Sequence, residues 1–138
     1  NAIAEHVRSV LGVDAEVVEC ESLRAGLKEL VSGCSYDLVL LDMSMPGFDV
    51  SASDPIGGEP ESFAGQEIMA QMKLRGLRTP TAVVTQYKAF AKGTIGLSDL
   101  VDRYKREYSD FFVGAIYYST AAETWKREMS ELIARYRL

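Results

Sequence analysis

Apolar positions along the chain keep two rhythms in turn. Ile3, Val7, Val10 and Leu11 fall at the spacing of an amphipathic helix, and Gly12 ends the stripe. Ala15 to Cys20 (AEVVEC) reads as a short strand. Ser22 opens a second helical stripe of Leu23, Leu27, Leu30 and Val31, which Gly33 stops. Tyr36 to Leu41 (YDLVLL) is a nearly unbroken apolar run that closes on Asp42, as expected of a strand covered on both faces in a parallel sheet. Helical spacing returns near Gly65, with Ile68, Met69 and Met72 inward, and Thr81 to Thr85 (TAVVT) is the next strand. Leu97, Leu100, Val101, Tyr104 and Tyr108 mark a helix, capped at Ser98 or just before it. Phe111 to Tyr118 (FFVGAIYY) marks a strand, and Trp125, Met129, Leu132, Ile133 and Tyr136 share one face of a last helix. Thr120 and Glu123 have the spacing of a capping box at its start. Lys88 to Gly96 fits neither rhythm.

Helices and strands alternate without exception. That order predicts one α/β domain over residues 1–138, a doubly wound parallel sheet with helices on both faces. The TAVVT strand is expected beside the run that ends in Asp42. The pattern opens on a helix where such a sheet would open on a strand, so a first strand is expected to be missing from this sequence.

One long stretch between elements keeps neither rhythm. Met43 to Ala64 holds Pro46, Pro55 and Pro60 with Gly47, Gly57 and Gly58, and carries Asp49, Asp54, Glu59 and Glu61 with no basic residue. Prolines and paired glycines resist regular structure. A long acidic loop of this kind is uncommon in a compact domain unless it has a function or is disordered. Residues 49–62 are therefore expected to lie outside the core, as a mobile or partner-binding segment.

Composition narrows the function. Of 138 residues, 47% are apolar and 25% charged, the balance of a globular domain. The net charge of −5 argues against direct nucleic-acid binding. No stretch approaches the roughly 18–20 apolar residues that span a bilayer, so a cytoplasmic protein without membrane contact is expected. Cys20 and Cys34 have neither metal-ligand nor CxxC spacing, and read as reduced, small hydrophobes. His6 is the single histidine and lies on the polar side of its helical stripe, which predicts a solvated surface residue. A zinc centre or a His-dependent catalytic pair has little to draw on, so the chain is not expected to be an enzyme.

Asp42 is where chemistry can sit. In open parallel sheets, ligands bind beyond the carboxyl ends of the strands. A carboxylate closing the most apolar strand suits that edge better than the core, where an unpaired charge is costly. A plain loop-capping aspartate is the competing account. The segment YDLVLLDMSMPGFD, Tyr36 to Asp49, resembles the signature around the phosphorylated aspartate of bacterial response-regulator receiver domains, in which Met-Pro-Gly follows the aspartate. Met45-Pro46-Gly47 is that turn here, and Thr85, ending its strand, resembles the Ser or Thr that contacts the phosphoryl group.

The resemblance implies a flavodoxin-like fold, with Asp42 as phosphoacceptor and Thr85 as phosphoryl contact. It also implies Mg²⁺ held by Asp42 and the backbone carbonyl of Ser44. Phosphoryl transfer of this kind depends mainly on positioning and charge neutralisation. The implied partners are a histidine kinase or phosphotransfer protein, a downstream protein engaged when the domain switches state, and potentially a second copy in a homodimer.

Three features depart from the family pattern. An acidic pair that would complete the metal site would fall before Asn1. The lysine expected at the end of the last strand is replaced, with Ile116, Tyr117 or Tyr118 in its place. A tyrosine donates a hydrogen bond but brings no positive charge, and Lys88 and Lys92 are candidates to reach across. One of the two tyrosines is expected to pack under the last helix and the other to face a binding surface. The acidic loop is the third departure. The alternative function is a phosphorylation-independent protein-interaction module with the same fold.

Overall fold

The structure, a computed structural model, describes residues 2–12, 16–33, 35–43, 64–86, 89–90, 95–119 and 121–136. Among these residues three parallel strands form one sheet: β1 (Val39–Asp42), β2 (Thr81–Thr85) and β5 (Phe112–Tyr117), in the order β1-β2-β5. Val39 pairs with Thr81 and Asp42 with Val84, so the expected TAVVT neighbour is in place. A separate antiparallel pair of two-residue strands, β3 (Ala89–Phe90) and β4 (Ile95–Gly96), lies within the stretch that fitted neither rhythm.

β2 is buried along its whole length, because helices cover it on both sides. Successive side chains of a strand point to opposite faces, and the two layers divide accordingly. Val83 and Leu41 join Ile68, Met69 and Met72 of α3 (Ala64–Leu74) and Leu100 and Tyr104 of α4 (Leu97–Glu107). Ala82 and Val84 join Val7 of α1 (Ala2–Leu11) and Trp125, Met129, Leu132 and Ile133 of α5 (Thr124–Tyr136). Each such large apolar side chain, taken out of water, contributes about 1.5–3 kcal/mol before entropy is counted. Helix α2 (Leu23–Leu30) lies beside α3, with its N-cap Ser22 accepting a hydrogen bond from the Ala25 amide at 3.1 Å.

Between Thr81 and Ala82 the β2–β5 register slips by one residue, from Phe112 to Gly114. Gly114 sits at φ +148, a backbone conformation that side chains disfavour, and it takes up this bulge.

Several boundaries differ from the pattern's expectation. Residues 16–20 are not a strand: among the described residues they have no ladder partner, and Val18 is 43% exposed while Val17 packs on the α1/α5 layer. Alternation shows which residues suit a strand but not whether a neighbouring strand is there to pair with. β1 starts at Val39, not Tyr36: its neighbour β2 begins at Thr81, and Pro80 before it has no N–H to extend the ladder. α4 is capped at Gly96 by backbone alone. Thr120 lies outside the described residues, and Glu123 pairs with Lys126 at 3.0 Å. The acidic segment between Met43 and Ala64 also lies outside them.

Candidate functional site

Asp42 and Thr85 end two adjacent strands, and Tyr117 ends the third. Thr85 is in register with Tyr117, and the Tyr118 amide donates to the Thr85 carbonyl at 2.8 Å. The three side chains therefore rise from the same carboxyl edge. Their burial differs: Asp42 is exposed, Thr85 is 2% exposed and Tyr117 is 36% exposed. None of the three lacks an interaction partner. The two tyrosines separate as their alternation requires. Tyr118 is buried edge-on against Trp125, with ring centres 4.8 Å apart, while Tyr117 stays at the edge.

The backbone of β1 is pinned where it leaves the sheet. Leu41 and Met43, on either side of Asp42, are both buried. The first turn of α3 comes down onto this point. A Cβ on Gly65 would stand 3.0 Å from the Met43 sulfur and 3.3 Å from the Asp42 carbonyl oxygen. Gln66 Oε1 then accepts a hydrogen bond from the Tyr104 hydroxyl at 2.9 Å, which ties this turn to α4. Burial pushes the Tyr104 phenol up to about 12, so it remains a donor at any physiological pH.

Among the described residues no three His, Cys, Asp or Glu side chains gather as a metal cluster. Mg²⁺ does not require one. It is held through one or two carboxylates with waters completing the octahedron, and the exposed Asp42 carboxylate fits the part of one such ligand. Ser44, Lys88 and Lys92 lie outside the described residues, as does Cys34; Cys20 is exposed and forms no disulfide.

His6 is not a solvated surface residue. It is half-buried between α1 and α5, with Nε2 2.9 Å from the Lys126 carbonyl and 3.1 Å from Ser130 Oγ, and its ring meets Trp125 edge-on at 5.4 Å. The helical stripe placed it on the polar side of α1 but could not show that α5 covers part of that side.

Sequence reasoning put Asp42 and Thr85 at the ends of adjacent strands, where the structure has them, and missed the α3 contacts. Their positions were visible, a glycine at the start of the helix after the acidic stretch and a tyrosine on the apolar face of α4, but their pairing was not.

The chain superposes on the crystal structure of the phosphorylated cyanobacterial phytochrome response regulator RcpA with a TM-score of 0.61. The match covers 98% of this chain and 86% of RcpA, at 18% identity. The fold is that of a receiver domain. In sequence, the chain is 27% identical over 121 residues to the Detocs response regulatory protein DtcB of Enterobacter cloacae (strain JD6301), covering 86% of the chain and 81% of DtcB. It is also 27% identical over 92 residues to the uncharacterized protein y4jR of Sinorhizobium fredii (strain NBRC 101917 / NGR234), spanning 65% of the chain and 61% of that protein. No protein-family model matches the chain.

Proposed function

We propose that this receiver domain is a phosphorylation-dependent response regulator that takes a phosphoryl group on Asp42. The observation that carries the reading is the placement of Asp42, Thr85 and Tyr117 together at the carboxyl edge of the sheet. The relatives support it: DtcB is named a response regulatory protein, and RcpA is a response regulator described as phosphorylated.

In the proposed reaction a carboxylate oxygen of Asp42 attacks the phosphorus of a phosphohistidine on a histidine kinase or phosphotransfer protein. The O–P bond forms, the N–P bond breaks, and the departing imidazole takes a proton. Mg²⁺, when bound through Asp42 and the Ser44 carbonyl, supplies the charge neutralisation this transfer needs. The chain's own residues position the group. Leu41 and Met43 hold the backbone of Asp42 still while leaving its carboxylate open. Thr85 offers a hydroxyl one residue beyond the level of Asp42, and Tyr117 offers a phenol next to it. The added charge then biases a two-state element that a downstream protein, or a second copy, reads.

On this reading the domain is a signalling component, not an enzyme with its own substrate turnover, and it binds neither nucleic acid nor membrane. A cytoplasmic setting fits; among the described residues no helix is long and apolar enough to cross a membrane.

One observation favours a second reading, a phosphorylation-independent interaction module. Tyr117 occupies the end of β5 where the family resemblance calls for a lysine. Incubation with a small phosphodonor and Mg²⁺ separates the two. The first reading expects one added phosphoryl group that hydroxylamine removes and that Asp42→Asn abolishes. No addition, with an ordinary receiver labelled in parallel, establishes the second.

A further inference from the structure

The turn that presses on Asp42 is tied to a helix on the far side of that layer. Gly65 leaves no room between α3 and the Asp42 carbonyl, so any movement of β1's end is felt by the first turn of α3. The next residue, Gln66, is the acceptor for Tyr104 of α4 at 2.9 Å. Tyr104 is 1% exposed, and its ring is wedged against Phe112 (edge-on, 5.6 Å) and Tyr108 (5.8 Å). The hydroxyl therefore cannot swing to water without moving the helix that carries it. A buried hydroxyl stripped of its acceptor is costly, which favours α3 and α4 shifting together over their parting.

We propose that Gln66 and Tyr104 are positioning residues: their hydrogen bond holds the first turn of α3 against Asp42 and carries a charge change at Asp42 into α4. The holding role stands on the geometry alone. The transmitting role rests on the phosphoacceptor reading of Asp42. α4 begins directly after β4, so a shift of this helix moves that strand with it. Packed layers of this kind have discrete arrangements and do not deform continuously, which suits a switch.

Hydrogen–deuterium exchange on the full chain tests both roles, using Tyr104→Phe, which keeps the ring, and Gln66→Glu, which keeps an acceptor. In the unmodified protein, Tyr104→Phe is expected to raise exchange across residues 64–74 by roughly three- to tenfold, the worth of one hydrogen bond. Gln66→Glu is expected to stay near wild type. Unchanged exchange in Tyr104→Phe overturns the holding role. With phosphodonor and Mg²⁺ added, exchange over residues 97–107 is expected to change in wild type. That change should fall by at least half in Tyr104→Phe at equal labelling. An equal α4 response in both proteins, or none in wild type despite labelling, overturns the transmitting role. Absence of labelling in wild type overturns the phosphoacceptor reading and the transmitting role with it, while the exchange of the unmodified protein still decides the holding role.

Discussion

At Asp42 an exposed carboxylate sits on a backbone fixed by buried residues on both sides. Gly65 is part of that fixation. Alanine is normally better than glycine in a helix by about 1 kcal/mol. At position 65 its Cβ meets backbone at 3.3 Å, and a backbone atom gives way poorly. Gly65→Ala is therefore expected to lower the melting temperature and to slow phosphoryl loading of Asp42. A raised melting temperature with unchanged loading would show that the contact relaxes freely. Tyr104 gives a prediction in pH. Burial raises its folded-state pKa from 10 to about 12, so the folded protein holds the proton more tightly than the unfolded chain does. The stability from this group is full below about pH 10 and is lost as the pH climbs through about 12. Denaturant melts over that interval should show wild type losing up to about 1.4 kcal/mol per pH unit more than Tyr104→Phe. Parallel curves would contradict it. Asp42 and Thr85 were legible in the sequence because each ends an apolar run. Gly65, Gln66 and Tyr104 were not, because their roles come from partners far away in the chain.

Among the elements, α5 carries much of one layer through Trp125, which is 4% exposed and touches both Tyr118 and His6 edge-on. Truncating such a side chain leaves a cavity as well as losing its burial. Trp125→Ala is expected to cost about 3–5 kcal/mol in urea unfolding; a loss under 1 kcal/mol would mean that α1 and α5 are held by other contacts. The helices were readable from spacing because a buried stripe repeats whatever it packs against. Strands were less so. Thr81–Thr85 and the run into Asp42 were visible as apolar runs, whereas residues 16–20 have the composition of a strand without a described neighbour to pair with. The pairing of Ala89–Phe90 with Ile95–Gly96 was hidden because the two strands have two residues each, too few for any period to show.

For the whole molecule, the alternation predicted from the sequence was enough to reach a parallel sheet covered on both faces, although residues 16–20 proved not to be a strand, and the match to RcpA agrees. What alternation cannot supply is the chemistry at the sheet's edge, where Asp42, Thr85 and Tyr117 meet from three separate stretches of chain. The proposed function requires Asp42 to be the group that accepts phosphate, and chemical trapping reads that residue directly. After labelling with a phosphodonor and Mg²⁺, borohydride reduces an aspartyl phosphate to homoserine, which peptide mass mapping locates. Homoserine is expected at position 42 and at no other aspartate. Homoserine elsewhere, or none in a protein labelled alongside a working receiver, would contradict it.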